Sequence, residues 1–213
     1  MLAGEIYEPR KIRLIDTEEP ELDPSSPGEI IFEPELGCLC GSDLLYFEGD
    51  YIEYPPEIGH SLHEMIGRVV DTNGNRFQVG DRILCVPNRQ LGLSERFRVS
   101  EQQAIPLDPR PPEDQALLAQ PLGTALYALR KLPNLLDERV VVIGQGPMGQ
   151  LFNIALSQLG ARQVNAIDKL ADRLEVSGQT GATHTIDSSK QDPVEEVAQI
   201  TGVASSTLGI LAV

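Results

Sequence analysis

The chain has 213 residues, enough for one large domain or two modest ones with cores of their own. Its 41% hydrophobic and 23% charged residues exclude disorder throughout, and its net charge of −15 argues against tracking along nucleic acid. No apolar run reaches the roughly 18 residues of a membrane span. The start, Met1 to Glu8, has no basic and apolar leader, and three cysteines cannot build a disulfide framework, so a reduced cytoplasmic protein is expected.

The first half reads as short strands between turn signals. Glu29 to Leu36 mixes apolar and acidic residues as a half-buried strand does. Met65–Val70 and Asp81–Val86 flank Asn73-Gly74, which predicts a tight turn between strands, and Ser94 to Val99 alternates again. Prolines and glycines are too dense for long helices, so this half is predicted to be an irregular all-β domain. After Pro106, Pro109, Pro111 and Pro112 the texture changes. Gln115 to Leu132 predicts two short helices interrupted at Pro121 and Gly123. Strands are predicted at 139–143, 163–167, 183–186 and 208–213, with helices at 148–159, 170–179 and 193–200 between them. Such alternation means a parallel sheet with crossover helices. The expected domains are residues 1–113 and 114–213, the second including the interdomain helices.

Directly after the valine-rich strand stands Gly144-Gln-Gly146-Pro147-Met148-Gly149, and a helix follows. The first glycine suits a tight turn, the second lets the backbone approach a pyrophosphate, and the third lets helix and strand pack closely. The helix N-terminus, beginning at Pro147 and Met148, presents free N–H groups to the phosphates. Asp168 ends the next strand. A carboxylate there can accept both ribose hydroxyls of an adenosine and repels a 2′-phosphate, which predicts NAD; Arg173 keeps NADP as an alternative. A tight turn without a ligand is the bland reading.

The β half carries Cys38-Leu-Cys40-Gly-Ser42-Asp43 and His60-Ser-Leu-His63-Glu64-Met-Ile-Gly67. Thiolate, imidazole and carboxylate are the ligand types zinc prefers, and three protein ligands with an open place define a catalytic site. Spacing alone leaves buried reduced cysteines and a surface histidine pair as an equal reading. Cys85, in an apolar strand, and His184, near a strand end, read as core and surface residues.

Together these motifs resemble the medium-chain zinc-dependent alcohol dehydrogenases, especially the sorbitol and threonine dehydrogenase branch, over roughly residues 1–203. Cys40-Gly-Ser42-Asp43 is similar to that family's Cys-Gly-Thr/Ser-Asp motif, whose cysteine binds the catalytic zinc. The Gly-His-Glu-x-x-Gly motif has two alignments here. Gly59-His60 matches its first letters, but His63-Glu64-Met-Ile-Gly67 keeps the pair and its distance to glycine, with Leu62 in place of the first glycine. The second is preferred, leaving His60 a neighbour or competing ligand. The resemblance implies a GroES-like β domain with a partial Rossmann sheet, one catalytic zinc on Cys40, His63 and Glu64, and hydride transfer between an alcohol and NAD. It implies that Ser42 meets the substrate hydroxyl and that Asp43 orients a ligand histidine. The substrate would be a small polyol, sugar or amino alcohol, with no nucleic-acid or membrane partner; full-length relatives imply a homo-oligomer.

Departures from the family pattern are informative. Gln120-Pro121-Leu122 replaces a carboxylate that often closes the zinc shell, so water or Gln120 would complete it. Pro87 to Leu93 lacks the cysteine lobe of a structural zinc, so none is expected. Leu45 stands where some members have a relay histidine. The family's six-strand order 3-2-1-4-5-6 is represented only to its fourth strand, so a truncated Rossmann domain is expected. That expectation brings weak adenosine-end NAD binding, little hydride transfer and self-association through an open strand edge. A catalytically impaired dinucleotide-binding protein is the competing reading.

Overall fold

The structure, a computed structural model, describes residues 1–50, 54–202 and 206–212. The chain divides into two units, Met1–Gln120 and Pro121–Val213.

In the first unit β1 (Leu2–Glu8) and β2 (Lys11–Asp16) form an antiparallel hairpin. The remaining strands are β3 (Glu29–Cys38), β4 (Glu64–Thr72), β5 (Arg82–Cys85), β6 (Phe97–Ser100) and β7 (Ala104–Pro106). They build one antiparallel sheet in the order β6-β3-β4-β5-β7. Alternation sends Ile30, Phe32, Met65, Val69, Ile83, Cys85, Phe97 and Val99 into a single buried cluster. Ile66 and Leu84 emerge elsewhere and are covered by Ala116 and Leu117 of the short helix α2 (Glu113–Leu117). That packing keeps α2 with the β unit, which is why the division falls after Gln120, beyond the residue 113 expected from composition.

Two sequence expectations need correction here. Asn73-Gly74 does not form a tight hairpin, because residues 73–81 separate β4 from β5. Asn73 Oδ1 instead accepts from the Glu29 N–H at 2.7 Å, and its Nδ2 donates to the carbonyls of Asp23 and Ser26. The side chain thus pins another loop to the start of β3. The β half also contains a helix, α1 (Gly41–Glu48), unseen in the sequence pattern. The Asp43 carboxylate accepts from the Cys40 N–H at 2.7 Å at its start, and Gly49, with φ +80°, ends it.

The second unit opens with α3 (Ala119–Leu129), whose first residues lie at the division. Pro121 and Gly123 lie inside α3; the break falls at Leu118, between the two helices. Proline is tolerated there because the first turn needs no N–H from it. Then follow β8 (Arg139–Ile143), α4 (Pro147–Gln158), β9 (Gln163–Asp168), α5 (Ala171–Gln179), β10 (His184–Asp187), α6 (Pro193–Thr201) and β11 (Leu208–Leu211). The sheet is parallel, in the order β10-β9-β8-β11, the 3-2-1-4 portion of a doubly wound fold. Val140, Val142 and Val164 pack with Leu151, Ala155 and Leu156 on one face. Val141, Ile167 and Ile186 pack with Val197 on the other. A strand buried on both faces explains the continuous apolar run from Val140 to Val142, which shows no alternation. Val213, placed by the sequence in the last strand, lies outside the described residues. Among the described residues no helix is long and apolar enough to cross a membrane.

Candidate functional site

Three ligand types converge in the first unit. The Cys40 thiol, a ring nitrogen of His63 and a carboxylate oxygen of Glu64 all lie within 4.8 Å of one another. Each arrives from a different local cause. Cys40 is the residue before α1, held extended at φ −101°, ψ 158°. Glu64 opens β4, and His63 immediately precedes it. His63 Nε2 lies 3.9 Å from Glu64 Oε1, and both side chains are largely buried, at 16% and 12% exposure. His63 Nδ1 is buried and makes no hydrogen bond among the described residues. An imidazole nitrogen grouped with a thiol and a carboxylate in a largely buried place suits a metal such as zinc.

His60 lies outside this group. It is buried, its ring centroid 3.9 Å from that of Tyr46, and its Nε2 makes no hydrogen bond among the described residues. Burial lowers its pKa, against the opposing pull of Asp43 and a hydrogen bond to the Arg89 backbone.

The hydrogen bonds of Asp43 run to backbone and to a hydroxyl. Its Oδ1 accepts from Ser61 Oγ at 2.8 Å and from the Leu62 N–H at 3.0 Å, while its Oδ2 holds the Cys40 N–H. One buried carboxylate therefore fastens the backbone of both ligand-bearing segments. The reason is local: Ser61 and Leu62 have φ of +121° and +63°, so the Leu62 N–H and the serine hydroxyl turn toward α1. Leu62, the residue that stands where the family motif has glycine, thus occupies a backbone conformation that favours glycine. Ser42 Oγ is buried and makes no hydrogen bond among the described residues, so it is available to a hydroxyl. Leu45 is half exposed and offers no proton acceptor.

Cys38, passed over as a site residue in the sequence, ends β3 and is exposed. It is the register partner of Glu64. Partial burial of its thiol, and then the nearby Glu64, Cys40 and Asp43, push its pKa up. Cys85 is a core residue whose thiol burial pushes up to about 12.

The glycine turn forms the second candidate site. Gly144 has φ +90°, Gly146 caps α4, and Pro147 is its first residue, followed by Met148. A Cβ on Gly149 would lie 2.0 Å from the Gly144 carbonyl oxygen, so only glycine lets α4 cross the turn. A Cβ on Gly146 would meet only Arg173 Nη1, at 3.9 Å, leaving open space where phosphates would lie. Asp168 is buried: its Oδ2 accepts from the Gln145 N–H at 2.7 Å and its Oδ1 from the Leu170 N–H at 2.9 Å. Burial alone would raise its pKa; these donors, the Lys169 N–H and Arg173 overcome that and hold it below the ordinary carboxylate value. Arg173 Nη1 stands 3.6 Å from Asp168 Oδ2. Asp168 thus braces the turn itself, a task the sequence did not reveal.

Beneath the turn lies a polar network. Gln145, 1% exposed, donates from Nε2 to the Val142 carbonyl, and its Oε1 accepts from Asn153 Nδ2 and Ser177 Oγ. Gln150 Nε2 donates to the Gln145 carbonyl, and its Oε1 accepts from Thr180 Oγ1.

Comparison with known proteins agrees with both halves. Residues 26–109 match the alcohol dehydrogenase GroES-like domain. The chain is 27% identical to (R,R)-butanediol dehydrogenase of Bacillus subtilis, the alignment covering 95% of this chain and 68% of that protein. It is 29% identical to D-xylulose reductase of Saccharomyces cerevisiae, covering 84% of this chain but 59% of that protein. The fold is shared with alcohol dehydrogenase TADH from Thermus sp. ATN1, at a TM-score of 0.87 and 24% identity over 100% of this chain and 70% of that one. The chain thus spans about three fifths to two thirds of the length of these curated relatives. It carries an alcohol dehydrogenase GroES-like domain at residues 26–109 and is similar over most of its length to the butanediol dehydrogenase and the xylulose reductase.

Proposed function

We propose that this chain is part or all of an alcohol oxidoreductase that uses one zinc, held by Cys40, His63 and Glu64, and NAD, seated on the Gly144–Gly149 turn. The observation that carries the reading is the convergence of those three ligand atoms within 4.8 Å. A sulfur, a nitrogen and an oxygen donor with a place left open match a catalytic zinc better than a closed structural one. When bound, zinc lowers the pKa of an alcohol hydroxyl, and NAD accepts the hydride from the adjoining carbon.

The chain's own residues then have distinct tasks. Ser42 Oγ, buried and unpartnered among the described residues, accepts a hydrogen bond from the alcohol hydroxyl and orients it. Asp43 keeps the Cys40 and His63 segments at a fixed separation through its three hydrogen bonds. Gly146 and the α4 N-terminus receive the pyrophosphate, with Pro147 and Met148 at its edge, and Asp168 disfavours a 2′-phosphate. Gln120 or water completes the metal shell. The alcohol is a small diol or polyol, the kind acted on by the butanediol and xylulose enzymes the chain is similar to. A cytoplasmic setting would keep the three thiols reduced.

Leu45 favours a second reading, a dinucleotide-binding protein without turnover, because it cannot relay a proton. Zinc analysis, NAD and NADP titration calorimetry, and NAD-linked oxidation of butane-2,3-diol, sorbitol and xylitol separate the two. One zinc per chain with NAD reduction supports the oxidoreductase; NAD binding without zinc or turnover supports the second reading.

A further inference from the structure

The metal group has a second sulfur at its edge. Cys38 and Glu64 are directly opposed partners in the antiparallel β3–β4 pair. Such partners project from the same face of the sheet with Cβ atoms about 4.5–5.5 Å apart. Glu64 turns its carboxylate to Cys40 and His63, so Cys38 starts from the side of the sheet on which the metal ligands gather. Cys38 is also two residues from Cys40 along the chain. Cys38 ends a strand and Cys40 is extended, and side chains two apart in extended backbone share a face. Leu39 between them is 73% exposed.

We infer that Cys38 and Cys40 form a redox pair in which a disulfide removes Cys40 from the metal group, so that oxidation empties the site and metal occupancy guards against oxidation. In the extended form the Cα atoms lie about 6.7 Å apart and the parallel Cβ atoms about as far, beyond the roughly 3.5–4.5 Å between the Cβ atoms of a disulfide, so the bond forms only when the backbone bends at exposed Leu39 and draws Cys40 away from the metal group. A bond held against such a bend is readily reduced, which suits a reversible switch. Access also differs as the idea requires: Cys38 is exposed and Cys40 partly so, whereas Cys85 is buried.

The oxidant is a hydroperoxide. The Cys40 sulfur attacks its terminal oxygen, an S–O bond forms and the O–O bond breaks, releasing an alcohol, or water from hydrogen peroxide. The Cys38 sulfur then attacks the Cys40 sulfur; the S–S bond forms, the S–O bond breaks and water leaves. Two thiols give up two electrons and two protons, and the hydroperoxide takes both. A dithiol reductant reverses the result.

This inference rests on the metal reading above, but its test separates the two. The full chain, metal-free and zinc-loaded, is treated with hydrogen peroxide, alkylated and digested, and its zinc is measured. The expected result is loss of two mass units confined to the Cys38–Cys40 peptide, fastest in the metal-free chain and reversed by dithiothreitol. Cys38→Ser should abolish that loss, still bind zinc, and show oxygen added to Cys40 instead. Absence of a Cys38–Cys40 disulfide in the metal-free chain overturns the inference. Disulfide formation at an equal rate with and without zinc overturns the guarding role. Failure of the reduced chain to bind zinc overturns the metal reading and leaves the disulfide result to stand by itself.

Discussion

The three glycines of the turn at 144–149 can be told apart by adding one methyl group. In Gly149→Ala the new Cβ would sit 2.0 Å from the Gly144 carbonyl oxygen and 3.0 Å from its carbon. Ordinary contact begins near 3.4 Å, so α4 and the turn must separate by about 1.4 Å. Both atoms belong to backbone and cannot rotate away. Overpacking of this kind costs about 1–3 kcal/mol, and a backbone obstacle puts this case at about 2–3 kcal/mol. For a domain of the second unit's size that lowers Tm by about 10–20 °C. In Gly146→Ala the Cβ meets only Arg173 Nη1 at 3.9 Å, and the φ of −70° suits alanine. Stability should hold or rise by about 0.4–1 kcal/mol, because the unfolded chain loses freedom. The methyl nevertheless enters the space the pyrophosphate needs, so NAD affinity should fall about tenfold or more, roughly 1.4 kcal/mol. Thermal unfolding followed by circular dichroism and NAD titration calorimetry read the two effects separately. A Gly149→Ala chain with unchanged Tm, or a Gly146→Ala chain with unchanged NAD affinity, would refute the assignment of packing to one glycine and ligand approach to the other.

Four further outcomes are expected. Cys40→Ala should abolish stoichiometric zinc while His60→Ala retains it, measured by metal analysis after dialysis; zinc lost with His60 but kept without His63 would reverse the ligand assignment. Asp43→Asn should weaken zinc binding about 10- to 100-fold and cost about 1–3 kcal/mol, because an amide NH2 cannot accept from the Cys40 N–H; competition with a fluorescent chelator and denaturant unfolding check each part. Asp168 has a folded pKa below its ordinary value of 3.8, so its contribution is present above pH 3.8 and fades as pH falls toward the folded value. The stability difference between the unmutated chain and Asp168→Asn should therefore be constant from about pH 6 to 5 and shrink below about pH 4, in urea titrations; a gap that widens on acidification contradicts the bracing role. Asp168→Ser should narrow the preference for NAD over NADP, read by calorimetry with both cofactors.

Much of this was legible because the patterns are local. The apolar run at 140–143, Gly144 through Gly149 and the acid at 168 each occupy a place fixed by a single βαβ unit, and the structure has them there. Cys40, His63 and Glu64 could be named from residue type and resemblance, yet their approach depends on β3–β4 pairing that no spacing rule supplies. What escaped was long-range or dual in purpose. Asn73 looks like half of a hairpin turn, but its amide is engaged with residues far along the chain. Asp43 looks like a turn residue or a histidine's partner, and its actual donors are chosen by the left-handed backbone at Ser61 and Leu62, which leucine does not announce. Cys38 carries no signal of its own in the sequence, and only the strand register places it opposite Glu64.

The buried amide of Gln145 bears on the cost of ordering. In the glycine motif its position is free to be any residue, but here the side chain is anchored to Val142, Asn153 and Ser177, and its own N–H is held by Asp168. A loop so fastened has already surrendered its conformational entropy during folding, about 1–2 kcal/mol for each backbone residue fixed. A dinucleotide arriving at the turn then has little left to immobilise, and its interaction energy goes into affinity rather than into shaping the receptor. Hydrogen exchange at the N–H groups of Gln145 and Gln150 should accordingly be slow before any ligand is added, and nearly the same afterwards.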